Sequence, residues 1–204
     1  MDTLLPEILS LIFEFLNTKQ LIWAKRTCKK WRKVYQDNLW RYTIDLESWG
    51  YQILGKHLKE FRNVKTIKLK KCIRLTGPCL KYLDKATNVD LSHCKIKSTD
   101  LQYLTSVKTL NLRECVNLTD DALEYVSNVE TIDIYGCYNL TSNGFNHIKN
   151  AKNIIICACY GVIQNLISNN FNNLTIYNCI NYKYDSLLLL KEKYPNISIL
   201  KIEV

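Results

Sequence analysis

Val107-Lys108-Thr109-Leu110-Asn111-Leu112-Arg113-Glu114-Cys115 is followed, 22 residues on, by Val129-Glu130-Thr131-Ile132-Asp133-Ile134-Tyr135-Gly136-Cys137. The same text occurs upstream with Val64, Ile67, Leu69 and Cys72, then with Ala86, Val89, Leu91 and Cys94. Downstream it occurs with Ala151, Ile154, Ile156 and Cys159, then with Phe171, Leu174, Ile176 and Cys179. The six cysteines stand 22, 21, 22, 22 and 20 residues apart, and a truncated seventh copy carries Ile197, Leu200 and Ile202. A near-constant period of this kind marks a repeated supersecondary unit. Disulfides would need the sulfurs to meet in pairs, whereas a repeat stacks them as a ladder.

Within each copy apolar and polar residues alternate, the period-2 pattern of a half-buried strand. After the cysteine, Leu118-Thr119-Asp120-Asp121-Ala122-Leu123-Glu124-Tyr125-Val126 predicts a short helix. It begins with a capping residue and acids in its first turn, and Leu123 and Val126 share a face. A strand, a turn and a helix cannot bury their apolar sides alone, so the copies must stack. Seven parallel strands predict a sheet roughly 29 Å long, at about 4.8 Å per gap. Helices are wider than strands, so the strands should line the concave side. Tyr160-Gly161-Val162-Ile163-Gln164 lacks the Thr-Asp signal and predicts an irregular convex segment in the fifth copy.

The rest of the composition fits a globular chain. Of 204 residues, 47% are apolar and 23% charged, and only six are Gly and three Pro, which excludes disordered, collagenous and Gly-loop classes. No apolar run approaches the ~20 residues of a membrane span. Asp2, Glu7 and Glu14 interrupt the N-terminal apolar stretch, which therefore does not read as a signal peptide. The net charge of +9 is unevenly spread: residues 1–83 hold 17 Lys/Arg against 7 Asp/Glu, and residues 84–204 hold 11 against 12. The positive charge never condenses into a dense run, which favours a solvated face or an acidic protein partner over nucleic acid.

Before residue 45 the period changes to that of helices. Leu4, Leu5, Ile8, Leu9, Ile12, Phe13 and Leu16 form a broad apolar stripe, with Pro6 fit for a first helical turn. Asn17 with Gln20 predicts the cap of a second helix carrying Leu21, Ala24, Cys28 and Trp31, and a third short helix follows near Trp31–Gln36. Three helices in about 45 residues make too small a core to stand alone. Such a unit borrows apolar surface from a partner.

The repeat resembles the cysteine-containing leucine-rich repeat, L-x-x-L-x-L-x-x-C. Leu4-Leu5-Pro6-Glu7-Ile8-Leu9-Ser10-Leu11-Ile12-Phe13-Glu14-Phe15-Leu16 resembles the F-box pattern L-P-x-E-I-L-x-x-I-F-x-x-L. Leu21 through Cys28-Lys29-Lys30-Trp31-Arg32, and then Leu39-Trp40, resemble its later D-L-x-x-x-x-x-V-C-K-x-W-R and L-W segments. Two positions depart: Leu5 stands at the family's first proline, with Pro6 one place later, and Gln20 replaces an aspartate. The chain is thus similar to an F-box/leucine-rich-repeat protein, with an F-box over 1–45 and a solenoid of six repeats and a truncated seventh over 46–204. The implied fold is α/β, three helices followed by a curved parallel sheet with convex helices.

The resemblance implies a substrate-recognition adaptor of an SCF-type ubiquitin ligase. Its Skp1-binding residues would be Leu4, Leu5, Pro6, Ile8, Leu9, Ile12, Phe13, Leu21, Cys28 and Trp31, with cullin and RING subunits joined through Skp1. Alternation puts Lys68, Lys70, Asp90, Ser92, Asn111, Arg113, Asp133, Tyr135, Ile155, Cys157, Thr175, Tyr177, Lys201 and Glu203 on the concave face. Of these, Lys68, Lys70, Asp90, Asn111, Arg113, Asp133, Tyr135, Ile155 and Tyr177 are the candidate site for a protein substrate, because Tyr and Arg on a rigid sheet make binding anchors.

Catalytic and metal readings have little support. Only Cys157 and Cys159 approach zinc-ligand spacing, and alternation points them apart. Cys28 and Cys79 lie on helix stripes, and Cys157 is the one expected accessible thiol. His57, His93 and His147 have no partner at triad spacing, and no carboxylate pair recurs on one face beyond Asp90 and Asp133, two repeats apart. No enzyme activity, cofactor, metal or membrane association is expected. Nucleic-acid binding, a plain repeat scaffold and a decoy that occupies Skp1 are weaker readings of the same residues. The expected place of action is the cytoplasm or nucleus of a eukaryotic cell, a host cell if the source is a virus or bacterium.

Overall fold

The computed structural model describes residues 4–157, 173–177, 192 and 198–200. Three helices come first: α1 (Pro6–Glu14), α2 (Thr18–Thr27) and α3 (Lys29–Asp37). Leu5 stays extended and Pro6 opens α1, where no N–H donor is needed. Asn17 Oδ1 accepts the Gln20 N–H at 3.0 Å and Gln20 Oε1 accepts the Asn17 N–H at 2.9 Å. The expected cap of α2 is therefore a complete capping box.

Eight strands follow: β1 (Thr43–Asp45), β2 (Thr66–Lys68), β3 (Asn88–Asp90), β4 (Thr109–Asn111), β5 (Thr131–Asp133), β6 (Asn153–Cys157), β7 (Asn173–Tyr177) and β8 (Ser198–Leu200). Each pairs in parallel with the next in chain order, so the sheet is one continuous row. Register sets equivalent residues side by side, Ile44 on Ile67, Ile67 on Val89, Val89 on Leu110 and Leu110 on Ile132. The fold is α/β: a helical N-terminal unit leading into a parallel-sheet solenoid of the leucine-rich-repeat type.

The sequence predicts seven strands, and the structure adds β1. Ile44-Asp45-Leu46 carries the same alternation, but Trp49 stands where the ladder cysteine would fall, so a period anchored on cysteines passes over it. With seven gaps the sheet is roughly 34 Å long. The helices are tied to it directly, because the Asp45 N–H donates to Thr18 Oγ1 at 2.7 Å.

The apolar repeat positions form the core as expected. Val64, Ile67, Leu69, Cys72 and their counterparts through Ile134 and Cys137 are buried, and the core runs on through Ile156, Leu174 and Ile176. The return segments are mostly 3-10 helices, at Gly55–Phe61, Gly77–Leu83, Ser98–Tyr103 and Gly144–Asn146. Only α4 (Asp121–Tyr125) is an α-helix among the described returns. A short repeat must cover the distance back to the next strand with few residues. Six residues span roughly 12 Å as 3-10 helix and about 9 Å as α-helix, which selects the tighter coil.

The predicted cap of α4 is not formed, since no side chain caps it. Asp120 instead reaches the next repeat, where its carboxylate accepts the Thr141 N–H at 2.6 Å and the Thr141 hydroxyl. A bond between repeats has displaced one within the helix. The irregular segment expected at 160–164 lies outside the described residues, as do Cys159, Cys179, Lys201 and Glu203.

The ladder cysteines have a definite bonding role. Leu69 O accepts the Cys72 N–H at 3.0 Å and the Cys94 thiol at 3.1 Å. Leu91 O likewise accepts the Cys94 N–H and the Cys115 thiol, and Leu112 O accepts the Cys115 N–H and the Cys137 thiol. Each thiol thus reaches back one repeat to a buried strand-end carbonyl. The residue before each cysteine turns left-handed, with φ of 61° at Lys71, 57° at His93, 56° at Glu114 and 73° at Gly136. Such backbone costs a non-glycine residue about 1–2 kcal/mol. The cost is offset by a backbone rung, the Lys71, His93 and Glu114 N–H groups donating to Ser92, Arg113 and Tyr135 carbonyls at 2.7–2.9 Å.

All six cysteines that can be described are free thiols, and only Cys28 among them is exposed. Burial pushes the Cys72 and Cys115 thiols up to about 12. Cys115→Ala should cost about 1–3 kcal/mol at neutral pH, measured by urea unfolding, because it leaves a carbonyl short of a donor and a void beside it. A thiol that is neutral when folded and ionised when unfolded favours unfolding. Its contribution is therefore full below the ordinary thiol value near 9 and is lost as pH rises toward about 12. The stability difference between wild type and Cys115→Ala should narrow across that range; a constant difference would refute the buried neutral thiol.

Candidate protein-binding surfaces

Helix α1 has two apolar sides. Leu9, Ser10 and Phe13 face the interior. There Phe13 meets Trp31 edge-on at 5.5 Å between ring centroids, and Tyr42 stacks on Tyr35 at 6.3 Å. At about 100° per residue, Ile8, Leu11, Ile12 and Phe15 fall on an arc of roughly 100° opposite that core face, and Leu4 and Leu5 immediately precede the helix. All six are exposed, from 41% at Leu4 and Ile12 to 90% at Phe15. Glu7 and Glu14 are the only charges in the helix. Trp23 on α2 and Trp40 add further exposed apolar area at 65% and 54%. Exposed apolar area of this extent is the usual mark of an interface.

Eight of the ten sequence-predicted residues of this unit divide into two sets. Leu4, Leu5, Pro6, Ile8 and Ile12 lie on the outer face and are open to a partner. Leu9, Phe13 and Leu21 do not; they are at most 1% exposed and hold the three helices together. Their expected contact role is corrected to an internal one, because a helix that packs on its own neighbours must spend one face on them. Trp31 is half-buried against Phe13. Cys28, expected in a packed stripe, is exposed, since the chain leaves α2 in an extended conformation there. Leu11, Phe15 and Trp23 are not singled out by the sequence, although two charges in a nine-residue apolar helix already signal a second apolar face.

The open face of the sheet carries the predicted concave residues. Several bond first to the repeat itself. Asp90, Asn111 and Asp133 each accept, through Oδ1, the N–H two residues on, from Ser92, Arg113 and Tyr135 at 2.9–3.0 Å. Asp45 does the same for Glu47. These side chains shape the turn after each strand and are half-buried, which leaves them fewer acceptor sites for a partner. Ser92, expected on the surface, is 1% exposed and donates its hydroxyl to Asp90 at 2.6 Å.

Lys68 and Lys70 lie opposite Asp45 and Glu47, at 3.9 and 3.1 Å, and Lys71 joins Glu47 at 3.4 Å. The Lys70 ammonium, with Lys71, holds the Glu47 carboxyl below its ordinary range. Arg113 lies over the Tyr135 ring at 4.4 Å and beside Asp133 at 3.7 Å. Burial pushes the Asp133 carboxyl up, against the opposing pull of the Tyr135 N–H and Arg113. Asp133, Arg113 and Tyr135 thus form one half-buried cluster from adjacent repeats, with Asn111 beside it. Ile155 and Thr175 continue the face as half-exposed residues, and Cys157 and Tyr177 occupy the last positions of β6 and β7.

No group of three or more His, Cys, Asp or Glu side chains able to hold a metal ion occurs among the described residues. His57 accepts the Leu54 N–H through Nδ1 within its own turn, and His93 lies 3.1 Å from Glu114 of the next repeat. No described helix is long and apolar enough to cross a membrane.

Residues 4–43 match the F-box-like family. That stretch contains all of α1, α2 and α3 and the entire exposed apolar arc. Among solved structures, the chain is similar to one in the crystal structure of the Rad7 and Elc1 complex in yeast, with a TM-score of 0.52 and 11% identity. The likeness covers 86% of this chain and 58% of that one, so this chain spans somewhat more than half its length. Curated proteins provide no match.

The two faces of α1 should respond differently to charge. Leu9→Asp would bury a carboxylate in the core and should lower the unfolding free energy by several kcal/mol or prevent folding. Ile8→Glu with Ile12→Glu should change it by less than about 1 kcal/mol, as expected for exposed positions. Circular dichroism melts of the two variants check the assignment; equal destabilisation would contradict it.

Proposed function

We propose that this protein is an adaptor that binds Skp1 of a cullin-RING ubiquitin ligase through its N-terminal helices and a protein substrate through the open face of its sheet. The observation that carries the reading is the outer arc of α1. An F-box-like stretch presents six apolar side chains to solvent, four of them on the face that its own core leaves unused. A standard interface buries about 800 Å2 per partner, and this arc with Trp23 supplies an apolar centre for one. The match of residues 4–43 to the F-box-like family supports it, as does the shared fold with a protein crystallised in the Rad7 and Elc1 complex.

In this reading the chain performs no bond chemistry. The transfer takes place on the ligase's conjugating enzyme, and the adaptor raises the effective concentration of a substrate lysine near it. The solenoid is suited to that task because its repeats are locked by backbone rungs and thiol bonds, so the distance between its two surfaces is fixed. The place of action is then the cytoplasm or nucleus of a eukaryotic cell.

Gel filtration of the full chain with Skp1 tests the proposal. Wild type should co-elute at micromolar concentration, and Ile8→Glu/Ile12→Glu should elute separately while keeping its native melting curve. Co-elution of that variant, or separate elution of wild type, would sink the adaptor reading.

The substrate surface is tested apart from assembly. Tyr135→Ala combined with Arg113→Glu removes a ring and reverses a charge in the Asp133 cluster, at sites where such anchors carry ~2 kcal/mol or more of binding. In cross-linking of the Skp1-bound adaptor in cells, the substrates recovered with wild type should be absent with the variant, while Skp1 recovery is unchanged. Recovery of the same substrates would move the substrate site off this face.

A further inference from the structure

A cavity of about 740 Å3 opens between the helices and the first return of the solenoid. Lys25 and Arg26 of α2 and Arg32 of α3 line one side, and Lys56, Lys59 and Arg62 line the other. Against these six cations stands one carboxylate, Glu60, already engaged by Lys25. Lys25 is further fixed over the Tyr35 ring at 5.4 Å, which makes the buried Tyr35 the floor. Among the described residues, Arg26, Arg32, Lys56, Lys59 and Arg62 have no ion-pair partner. No residue of α1 takes part, so the cavity is separate from the apolar arc, and its cations lie on a different set of elements from the open sheet face.

These five cations repel one another around one concavity; Arg32 Nε donates to the Lys25 carbonyl and Arg62 lies over the Tyr82 ring at 5.0 Å, contacts that orient two of them without cancelling their charge. The five come from three separate elements, so their convergence is a product of the tertiary structure and not of a charged run in the sequence. Three are arginines, whose planar forks match the oxygens of phosphate in paired hydrogen bonds. The volume lies within the range of small-molecule sites, ~300–1,000 Å3. Nucleic acid is a poorer fit on two grounds. Its binders track a backbone along an extended stripe, and single-strand binders stack bases on exposed aromatic faces. Here the cations surround a pocket, and the only aromatic residue lining it, Tyr35, is buried.

We propose that this cavity is a binding site for a small, multiply phosphorylated ligand, which neutralises the junction between the helical unit and the solenoid. Such a ligand would bridge α2, α3 and the Gly55–Phe61 segment and hold their relative position. The excess positive charge of the first half of the sequence is then concentrated where a compact polyanion meets it from several sides.

Inorganic triphosphate is the probe, titrated calorimetrically into the full chain at low salt, with single inorganic phosphate alongside. One triphosphate should bind per chain, more tightly than phosphate, and should raise the melting temperature. Arg26→Gln with Lys59→Gln, which removes a cation from each wall and breaks no hydrogen bond or ion pair, should weaken triphosphate by roughly tenfold or more. Lys95→Gln with Lys149→Gln makes the same charge change elsewhere and should leave the affinity within about twofold. Equal weakening by both pairs would show diffuse charge attraction and overturn the site, as would no triphosphate binding to the folded wild type. A single-stranded oligonucleotide or a phosphopeptide that binds more tightly than triphosphate and loses its affinity in Arg26→Gln/Lys59→Gln would assign the cavity to a macromolecule and overturn the small-ligand proposal.

Discussion

One carbonyl per repeat carries two bonds, and the solenoid depends on it. Leu69 O, Leu91 O and Leu112 O each receive the N–H that closes their own turn and the thiol of the following repeat. The first bond shapes the turn within a repeat, and the second fastens the next copy onto it. A buried carbonyl has two lone pairs, and leaving one unmet in this interior would be costly. The donor must be short enough to fit under a tight turn and apolar enough to pack against Leu and Ile. Cysteine meets both conditions, which is why the period of the sequence is written in cysteines rather than in leucines alone.

The left-handed turn follows from the same constraint. The chain must double back between strand end and thiol, and three of the four observed positions accept a positive φ without glycine. Gly136 is different, because a Cβ there would come within 2.8 Å of the Glu114 Cγ in the neighbouring turn. Repeat register is therefore set by three features acting at one place: the shared carbonyl, the backbone rung beside it, and the Asx bond from Asp90, Asn111 or Asp133. Where the sequence replaces Asx, as at Ile155 and Thr175, β6 and β7 lengthen to five residues each and pair over the full length. Lys68 also stands at an Asx position and β2 still ends there, so the Asx bond is one of the features that end a strand and not the only one.

Much of this is legible in the sequence, and the misses have physical causes. The buried set Ile67, Leu69, Val89, Leu91, Leu110, Leu112, Ile132 and Ile134 follows from period-2 alternation, which burial of one sheet face enforces. Asn17 and Gln20 announce α2 because a capping box is local in sequence. β1 escapes the pattern because Trp49 replaces the small thiol at the end of the array, where no earlier repeat offers a strand-end carbonyl to receive one. Leu9, Phe13 and Leu21 read as partner-facing because a stripe shows that a helix has apolar sides without showing how many. In α1 there are two, and only the packing of α3 and Tyr42 decides which is inward. Asp90 and Asp133 read as surface acids, since alternation gives the direction of a side chain and not what it bonds.

The distribution of charge links the two halves of the molecule. Lys68, Lys70 and Lys71 look like the start of a basic sheet face, yet Asp45 and Glu47 of the preceding repeat meet them, so that face begins close to neutral. These acids belong to the stretch that bears β1, the strand joining the helices to the sheet. The same junction that neutralises the sheet on one side leaves Arg26, Arg32, Lys56, Lys59 and Arg62 without an ion-pair partner among the described residues on the other. Charge compensation in this protein is therefore built across repeats along the sheet, where each strand lies about 4.8 Å from the next and opposite charges can be placed in register. Between the helices and the first return no such register exists; Glu60 meets Lys25 there, and among the described residues no second carboxylate lines the cavity to meet the other cations.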